Sequence, residues 1–150
     1  MKHAFAVALL VFALTILCTA QTQTAKPLNF AAEQVQRVEI LYFPERILVR
    51  AALSPERLEQ LYRYKLEIRD VRESAEWKQL LSQLRETSVK PSGHGYDHRT
   101  AVLMFDQNGR RVASVYFGQF GGDGTIDGDS GTITGGLYHW AKSLLKGVAG

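Results

Sequence analysis

The sequence has few of the residues on which small exported domains and metal enzymes commonly depend. Its single cysteine, Cys18, lies inside an apolar N-terminal segment, and only 4 of its 150 residues are histidines. Removal of that segment would leave no cysteine for a disulfide bond, a thiolate metal ligand or a thiol nucleophile. A chain of roughly 130 residues still buries about two thirds of its unfolded surface, so we expect one domain without disulfides.

Long apolar runs are absent after the first 20 residues, which have the composition of a secretory signal peptide. Lys2 and His3 give a positive start, residues 4–17 are apolar and uncharged, and Ala20 is a small residue at the end. The apolar run is shorter than the ~20 residues that a spanning helix needs. We therefore expect cleavage after Ala20, a secreted or periplasmic location and no membrane span in the mature protein. An N-terminal anchor that is not cleaved is the alternative.

The sequence also lacks an excess of charge of one sign. It has 18 Lys and Arg against 15 Asp and Glu, a formal net charge of +3. A nucleic-acid-binding surface needs clustered cations, interleaved with aromatic residues where it binds single strands. The nearest candidate, residues 63–69, includes Glu67 among its cations and alternates with apolar residues, as the solvent face of a strand does. We expect no nucleic-acid partner.

Alternating apolar residues predict a mostly antiparallel sheet. Residues 37–43 and 47–53 read as two strands joined by a short turn, and residues 64–68 read as a third. The second of these strands would point Ile47, Val49, Ala51 and Leu53 inward. Two apolar runs flank Asn108-Gly109, a dipeptide that favours a type I′ hairpin turn, and they predict the centre of the sheet.

Three further segments have apolar residues at helical spacing. The first begins after Ser54, a predicted N-cap followed by a proline. The second is predicted to be capped by Ser74 and to bury Trp77, and the third, near the C-terminus, to bury Trp140. These patterns predict three amphipathic helices packed on the sheet.

Together these elements predict the α+β class and a single domain. The signal peptide covers residues 1–20, a polar tether residues 21–33, and the domain residues 34–150. The sequence has no internal repeats, so a solenoid or propeller architecture is not expected.

The stretch GGDGTIDGDSGTITGG, residues 121–136, contains a fragment typical of calcium loops. Its carboxylates are Asp123, Asp127 and Asp129. A repeats-in-toxin turn would place its aspartate one residue earlier, and an EF-hand would need a glutamate at its twelfth position, where Thr134 stands. Weak calcium binding by the three aspartates is therefore an alternative and not the favoured interpretation.

The same stretch includes GDSG, residues 128–131, which resembles the nucleophile loop of chymotrypsin-like serine proteases. The resemblance covers four residues, and the predicted helices leave no room for the two β-barrels of that family. Glycine with Asp and Ser is common in turns, because glycine supplies positive φ angles and the polar side chains bind nearby amides. We interpret the stretch as a small hairpin with a glycine-rich turn.

The long connection at residues 89–99 is the best candidate for a functional loop. It carries four side chains suited to binding: His94, Tyr96, Asp97 and His98. A histidine beside a carboxylate can act as a general base or a metal ligand. The alternative is a solvated loop in which Asp97 pairs with Arg99 and fixes the start of the next strand.

The sequence favours a non-enzymatic, exported binding or inhibitor-like module that needs no cofactor. Its partner would be another exported or envelope protein. The first alternative is a small metal-assisted or His/Asp-based enzyme that uses the loop at 89–99. The second is the weak calcium site at 121–131.

Overall fold

The architecture is one antiparallel sheet of eight strands with three α-helices, seen in a computed structural model that describes residues 24–147. The strands are β1 (Lys26–Pro27), β2 (Arg37–Tyr42), β3 (Tyr64–Ile68), β4 (Ser88–Pro91), β5 (Thr100–Phe105), β6 (Arg111–Phe117), β7 (Asp123–Ile126) and β8 (Asp129–Thr134). The helices are α1 (Pro55–Leu61), α2 (Trp77–Glu86) and α3 (Leu137–Leu145). The predicted α+β, single-domain class is confirmed, and the predicted signal peptide lies outside the described residues.

The strand order across the sheet is β1-β4-β8-β7-β6-β5-β2-β3. Each neighbouring pair is antiparallel, and β5, near the middle, is buried at all six positions. A strand buried on both faces needs cover on both faces, which explains why this run of residues is apolar without alternation. Within residues 24–147, no helix is long and apolar enough to cross a membrane.

Apolar residues of α2 and α3 cover the first face of the sheet. Val38 and Ile40 of β2, Val102 of β5 and Val115 of β6 point to this side, as expected for positions two residues apart in register. They pack against Leu80, Leu84, Leu137, Trp140, Ala141 and Leu145 of the two helices.

The second face is covered by α1 and by two irregular segments that cross it, residues 43–54 and 92–99. Leu41, Ala101, Leu103 and Tyr116 point to this side and pack with Phe43, Leu53 and Leu58. The two segments contact each other near the start of β5. These contacts position the candidate binding residues of the loop at 92–99.

The polar tether predicted for residues 21–33 is partly wrong. Lys26 and Pro27 pair with β4, and the Leu28 amide donates to the Thr87 carbonyl at 3.0 Å. Leu28 is buried in the core of the first face. A two-residue strand has no detectable period, so the sequence could not mark where the folded domain begins.

The strand predicted at residues 47–53 is also wrong. This segment forms no strand, Leu48 is 93% exposed, and of its predicted inward residues only Leu53 is fully buried. The reason is topological, because β2 already pairs with β3 on one side and β5 on the other. No edge of β2 remains for the segment that follows it.

The type I′ turn predicted at Asn108-Gly109 does not form. A type I′ turn needs positive φ at both central residues, and here Gly109 has φ 77° while Asn108 is not in the positive region. The Asp106 carboxylate accepts hydrogen bonds from the amides of Asn108 and Arg110 at 2.8 and 2.9 Å. These bonds stabilise a wider turn between β5 and β6.

The hairpin predicted within residues 121–136 is confirmed as β7 and β8. Its turn is formed by Asp127 and Gly128, with φ of 45° and 94°, the pair of positive values typical of a type I′ turn. Three of the four residues of GDSG, Asp129, Ser130 and Gly131, lie in β8 and not in the turn.

Of the two predicted helix caps, one is confirmed. The Ser54 hydroxyl accepts a hydrogen bond from the Arg57 amide at 3.3 Å at the start of α1. The Ser74 prediction is wrong, because its hydroxyl donates to the Val71 carbonyl at 2.7 Å within a short 3-10 turn, and α2 begins only at Trp77.

Candidate functional site

The connection predicted at residues 89–99 is shorter than predicted, because residues 89–91 belong to β4. The loop that remains, residues 92–99, lies across the second face of the sheet. Of its four candidate residues, His94 is exposed, Tyr96 and Asp97 are half-buried and His98 is buried. The Tyr96 hydroxyl is hydrogen-bonded to Ser92. The loop is therefore packed on the sheet and does not form an accessible pocket lined by titratable side chains.

The Asp97 carboxylate binds the segment at residues 47–53, which was wrongly predicted to be a strand. Its Oδ1 accepts a hydrogen bond from the Leu53 amide at 2.8 Å, and its Oδ2 accepts from Arg99 Nε at 2.8 Å. The Arg99 guanidinium also donates to the carbonyls of Ile47 and Pro44 at 2.9 and 3.3 Å. The predicted Asp97–Arg99 pair is confirmed, and it holds residues 44–53 against the sheet.

His98 connects the same segment to the β7–β8 hairpin. Its Nδ1 lies 2.9 Å from the Leu53 carbonyl oxygen, which can only accept, so Nδ1 carries the proton. Its Nε2 then accepts a hydrogen bond from the Thr125 hydroxyl at 3.0 Å, and Thr125 is 3.0 Å from the Ser130 hydroxyl. Both ring nitrogens of His98 are thus occupied within the fold.

Burial lowers the pKa of His98 below its ordinary value of 6.5, although hydrogen bonding to Leu53 and the nearby carboxylates Asp97, Asp123 and Glu56 oppose the shift. The unfolded chain then takes up a proton that the folded chain does not. We expect the contribution of His98 to stability to be constant above about pH 6.5 and to fall as the pH drops below it.

The measurement is the urea midpoint between pH 7.5 and pH 5, and His98→Gln is the matched variant, because glutamine can hydrogen-bond but does not titrate in this range. The part of the pH dependence that is absent in His98→Gln belongs to His98. Identical pH profiles for the two proteins would contradict the assignment.

Two of the three aspartates considered for calcium have separate partners. Asp127 Oδ1 accepts hydrogen bonds from the amide and the hydroxyl of Ser114 at 2.7 and 3.1 Å. Asp129 pairs with Lys26 at 2.9 Å. Within residues 24–147, no three His, Cys, Asp or Glu side chains are grouped so that they could hold a metal ion.

We expect millimolar calcium to leave the melting temperature of this protein unchanged. A site that binds only the folded state would stabilise it by about 2.7 kcal/mol at 100 Kd. The matched variant replaces Asp123, Asp127 and Asp129 with Asn, which keeps local hydrogen bonds and removes the charge. A rise of several degrees with calcium in the wild type, absent from the triple variant, would establish the calcium site instead.

A cleft on the first face, formed where β2, β3 and α3 meet, has the dimensions of a ligand site. Its volume is about 460 Å³, within the range of small-molecule pockets. Its lining residues are Tyr42, Pro44, Glu45, Arg46, Tyr64, Lys142, Leu145 and Lys146. The residues come from three separate parts of the chain, so no local motif in the sequence could reveal the cleft.

Two tyrosines form an aromatic wall of this cleft. Tyr42 and Tyr64 face each other across the β2–β3 register, and their rings are stacked at 6.1 Å with an interplanar angle of 28°. The pairing of the two strands therefore fixes the distance between the rings. Lys142 Nζ, from α3, lies 3.7 Å from the centroid of the Tyr42 ring, a cation–π contact.

An ion pair lies beside this wall. Lys142 donates to Glu45 Oε1 at 2.9 Å, and the Tyr42 hydroxyl donates to the other carboxylate oxygen. Burial alone would raise the pKa of Glu45, but the hydrogen bonds from Tyr42 and Lys142 outweigh it and the pKa is lowered. Burial would likewise lower the pKa of Lys142, but its interactions with Tyr42 and Glu45 raise it. Both groups are held in their charged forms.

Two further cations border the cleft. Arg46 and Lys146 are exposed, and neither forms an ion pair with another of the residues 24–147. Since Lys142 neutralises Glu45, the lining has a net positive charge.

Comparison of the chain with protein-family models, with curated proteins and with solved structures gives no match.

Proposed function

We propose that this chain is an exported, non-enzymatic binding protein that holds a small anionic ligand with a planar ring in the cleft formed by β2, β3 and α3. The observation that carries the proposal is the stacked Tyr42–Tyr64 wall in a cavity of about 460 Å³, with the exposed cations Arg46 and Lys146 at its border. An apolar and aromatic cavity with a few polar groups is the usual form of a small-molecule site.

The aromatic wall favours a flat ligand. Tyrosine rings bind other rings by offset stacking or by edge-to-face contact, and such pairs contribute about 0.5–1.5 kcal/mol beyond the area that they bury. Tyr42 is almost fully buried and Tyr64 is half-buried, so the exposed part of Tyr64 is available to a ligand. The contact between Lys142 and the Tyr42 ring fixes the inner side of the wall.

The charge around the cleft favours an anion. Arg46 can contact a carboxylate, sulfonate or phosphate through two parallel hydrogen bonds. Lys146, at the end of α3, adds a second cation. Glu45 does not repel such a group, because Lys142 and the Tyr42 hydroxyl already engage both of its oxygens.

Binding is favoured over catalysis by the state of the titratable groups. A general acid or base works best when its pKa is near the operating pH. In the cleft, the pKa of Glu45 is lowered from 4.5 and the pKa of Lys142 is raised from 10.5, so both move away from neutrality. In the loop at 92–99, Asp97 and His98 are engaged by backbone groups of Leu53.

The test is a fluorescence titration with a matched pair of dyes. The anionic probe is 1-anilinonaphthalene-8-sulfonate, and the neutral probe is N-phenyl-1-naphthylamine, which has the same rings without the sulfonate. We expect saturable binding of one anionic dye per chain and weaker binding of the neutral dye. Replacement of Arg46 and Lys146 by Gln should weaken binding of the anionic dye about tenfold, which corresponds to about 1.4 kcal/mol, and leave the neutral dye unaffected.

The control is Lys78→Gln, which removes an exposed lysine of α2 that does not line the cleft. It should bind both dyes as the wild type does. Equal affinity for the two dyes, or equal loss in the control and in the cleft variant, would overturn the proposal.

Export predicts a defined mature N-terminus. Expression of the full chain in a secreting host should give a protein that begins at Gln21, because Ala20 is the small residue before a polar run. Intact-mass measurement of the exported fraction checks this. A mass that retains residues 1–20, or accumulation of the whole product inside the cell, would contradict the export part of the proposal.

A further inference from the structure

The two edges of the sheet differ in how well they are protected against pairing with another strand. At one edge, β1 is two residues long and contains Pro27, which has no amide hydrogen to donate to a further strand. At the other edge, β3 is five residues long and contains neither proline nor glycine. Among residues 24–147, no strand pairs with the outer side of β3.

The side chains of this exposed edge are apolar on one face. Tyr64, Leu66 and Ile68 point to the first face of the sheet, where they pack against its core and remain half-buried. An unpaired edge strand offers a row of backbone donors and acceptors to a partner. A partner strand here would cover the exposed parts of Leu66 and Ile68 as well, and would lie beside the edge of Tyr64.

The opposite face of β3 carries charges of both signs. Lys65 pairs with Glu39 at 2.8 Å and lies 3.5 Å from Glu67, and Glu67 pairs with Arg69 at 2.5 Å. Antiparallel pairing of β3 with a second β3 about a two-fold axis at Leu66 would place Lys65 opposite Glu67 of the other copy, twice. The same register would place Tyr64 opposite Ile68.

This register is the one that overlaps the full length of β3. A shift by one residue would bring apolar positions opposite charged ones, because side chains alternate between faces. A shift by two would place Lys65 opposite Lys65, or Glu67 opposite Glu67, and like charges opposite each other destabilise a ladder. Arg63 and Arg69, which face each other in the favoured register, lie beyond the ends of the strand.

We infer that this chain forms a two-fold symmetric dimer in which the β3 strands of two copies pair antiparallel, centred on Leu66, to give one continuous sheet. The interface is isologous, as in most homodimers, and closes without leaving a β3 edge free. The dimer and the ligand proposed for the cleft share Tyr64, which would lie opposite Ile68 of the other copy. Lys65 and Glu67 lie on the other face of the sheet and do not line the cleft, so exchanging their charges tests the dimer separately from the ligand.

The test is sedimentation equilibrium of the purified protein and of four variants. Lys65→Glu and Glu67→Lys each place like charges opposite one another, and each should raise the dimer dissociation constant about tenfold or more. The double variant Lys65→Glu with Glu67→Lys restores opposite charges and should restore the dimer. In the double variant the new lysine at position 67 lies directly across from Glu39, so a cation beside Glu39 is kept.

Lys26→Glu, at the other edge of the sheet, is the matched control and should leave the dimer unchanged. Cooperative thermal unfolding of every variant separates loss of pairing from loss of folding. A wild type that remains monomeric at all concentrations, or a dimer that the charge exchange does not restore, would overturn the inference.

Discussion

Replacement of Arg99 by alanine is expected to lower the free energy of unfolding by about 3 kcal/mol, the lower part of the range for breaking a buried ion pair. The Arg99 side chain is 6% exposed, and its loss leaves Asp97 without its cation and two backbone carbonyls without a donor. Since Asp97 is 30% exposed, water compensates in part, and the loss stays at the lower end.

The measurement is chemical unfolding of the wild type, Arg99→Ala and Arg99→Lys. Lysine keeps the charge but lacks the planar fork that reaches Asp97 and the carbonyls of Pro44 and Ile47 at once, so it should recover only part of the loss. Asp97→Asn should cost less than Arg99→Ala, because the amide oxygen can still accept from Leu53. An unfolding midpoint unchanged in Arg99→Ala would mean that the pair does not hold the 44–53 segment.

Replacement of Trp140 by alanine should destabilise the protein by about 3–5 kcal/mol, as for other buried large aromatic residues. Trp140 is 3% exposed and belongs to the core of the first face. Trp77, which the sequence predicted to be equally important, is only half-buried, so its replacement by alanine should cost about 1–2 kcal/mol.

Trp140→Phe provides the control for this comparison. Within the described residues, the buried Trp140 Nε1 has no hydrogen-bond acceptor. Phenylalanine keeps much of the volume and removes an N–H that is costly to bury alone, so the variant should lose much less stability than Trp140→Ala. Urea unfolding measures all three. Equal losses for Trp140→Ala and Trp77→Ala would show that the burial of the two tryptophans is wrongly assigned.

Local patterns in the sequence were sufficient for most elements of the fold. The strands at residues 64–68 and around Asn108-Gly109 follow the alternation and apolar runs that predict them, and α1 begins at its predicted cap, Ser54. These features depend on contacts within a few residues. The segment at residues 47–53 has the alternating pattern of a strand, but no strand edge beside β2 is free to pair with it. Whether such an edge is free depends on the order of strands in the whole sheet.

The candidate site shows the same limit. The sequence identified Asp97 and His98 as a possible general base or metal ligand. Their hydrogen-bond partners, Leu53 and Thr125, are distant in sequence, and these structural contacts engage both side chains. The cleft depends on Tyr42, Tyr64 and Lys142, which come together only through strand pairing and the packing of α3. None of the three stands in a recognisable motif.

The most direct test of the proposed binding function is to locate the anionic dye on the protein by amide chemical-shift mapping. Addition of 1-anilinonaphthalene-8-sulfonate to labelled protein should shift a compact set of amides from the lining of the cleft: Tyr42, Glu45, Arg46, Tyr64, Lys142, Leu145 and Lys146. The neutral naphthylamine at the same concentration should shift the same amides less. Shifts confined to residues 92–99 and the β7–β8 hairpin, or no localised shifts at saturating dye, would contradict the account.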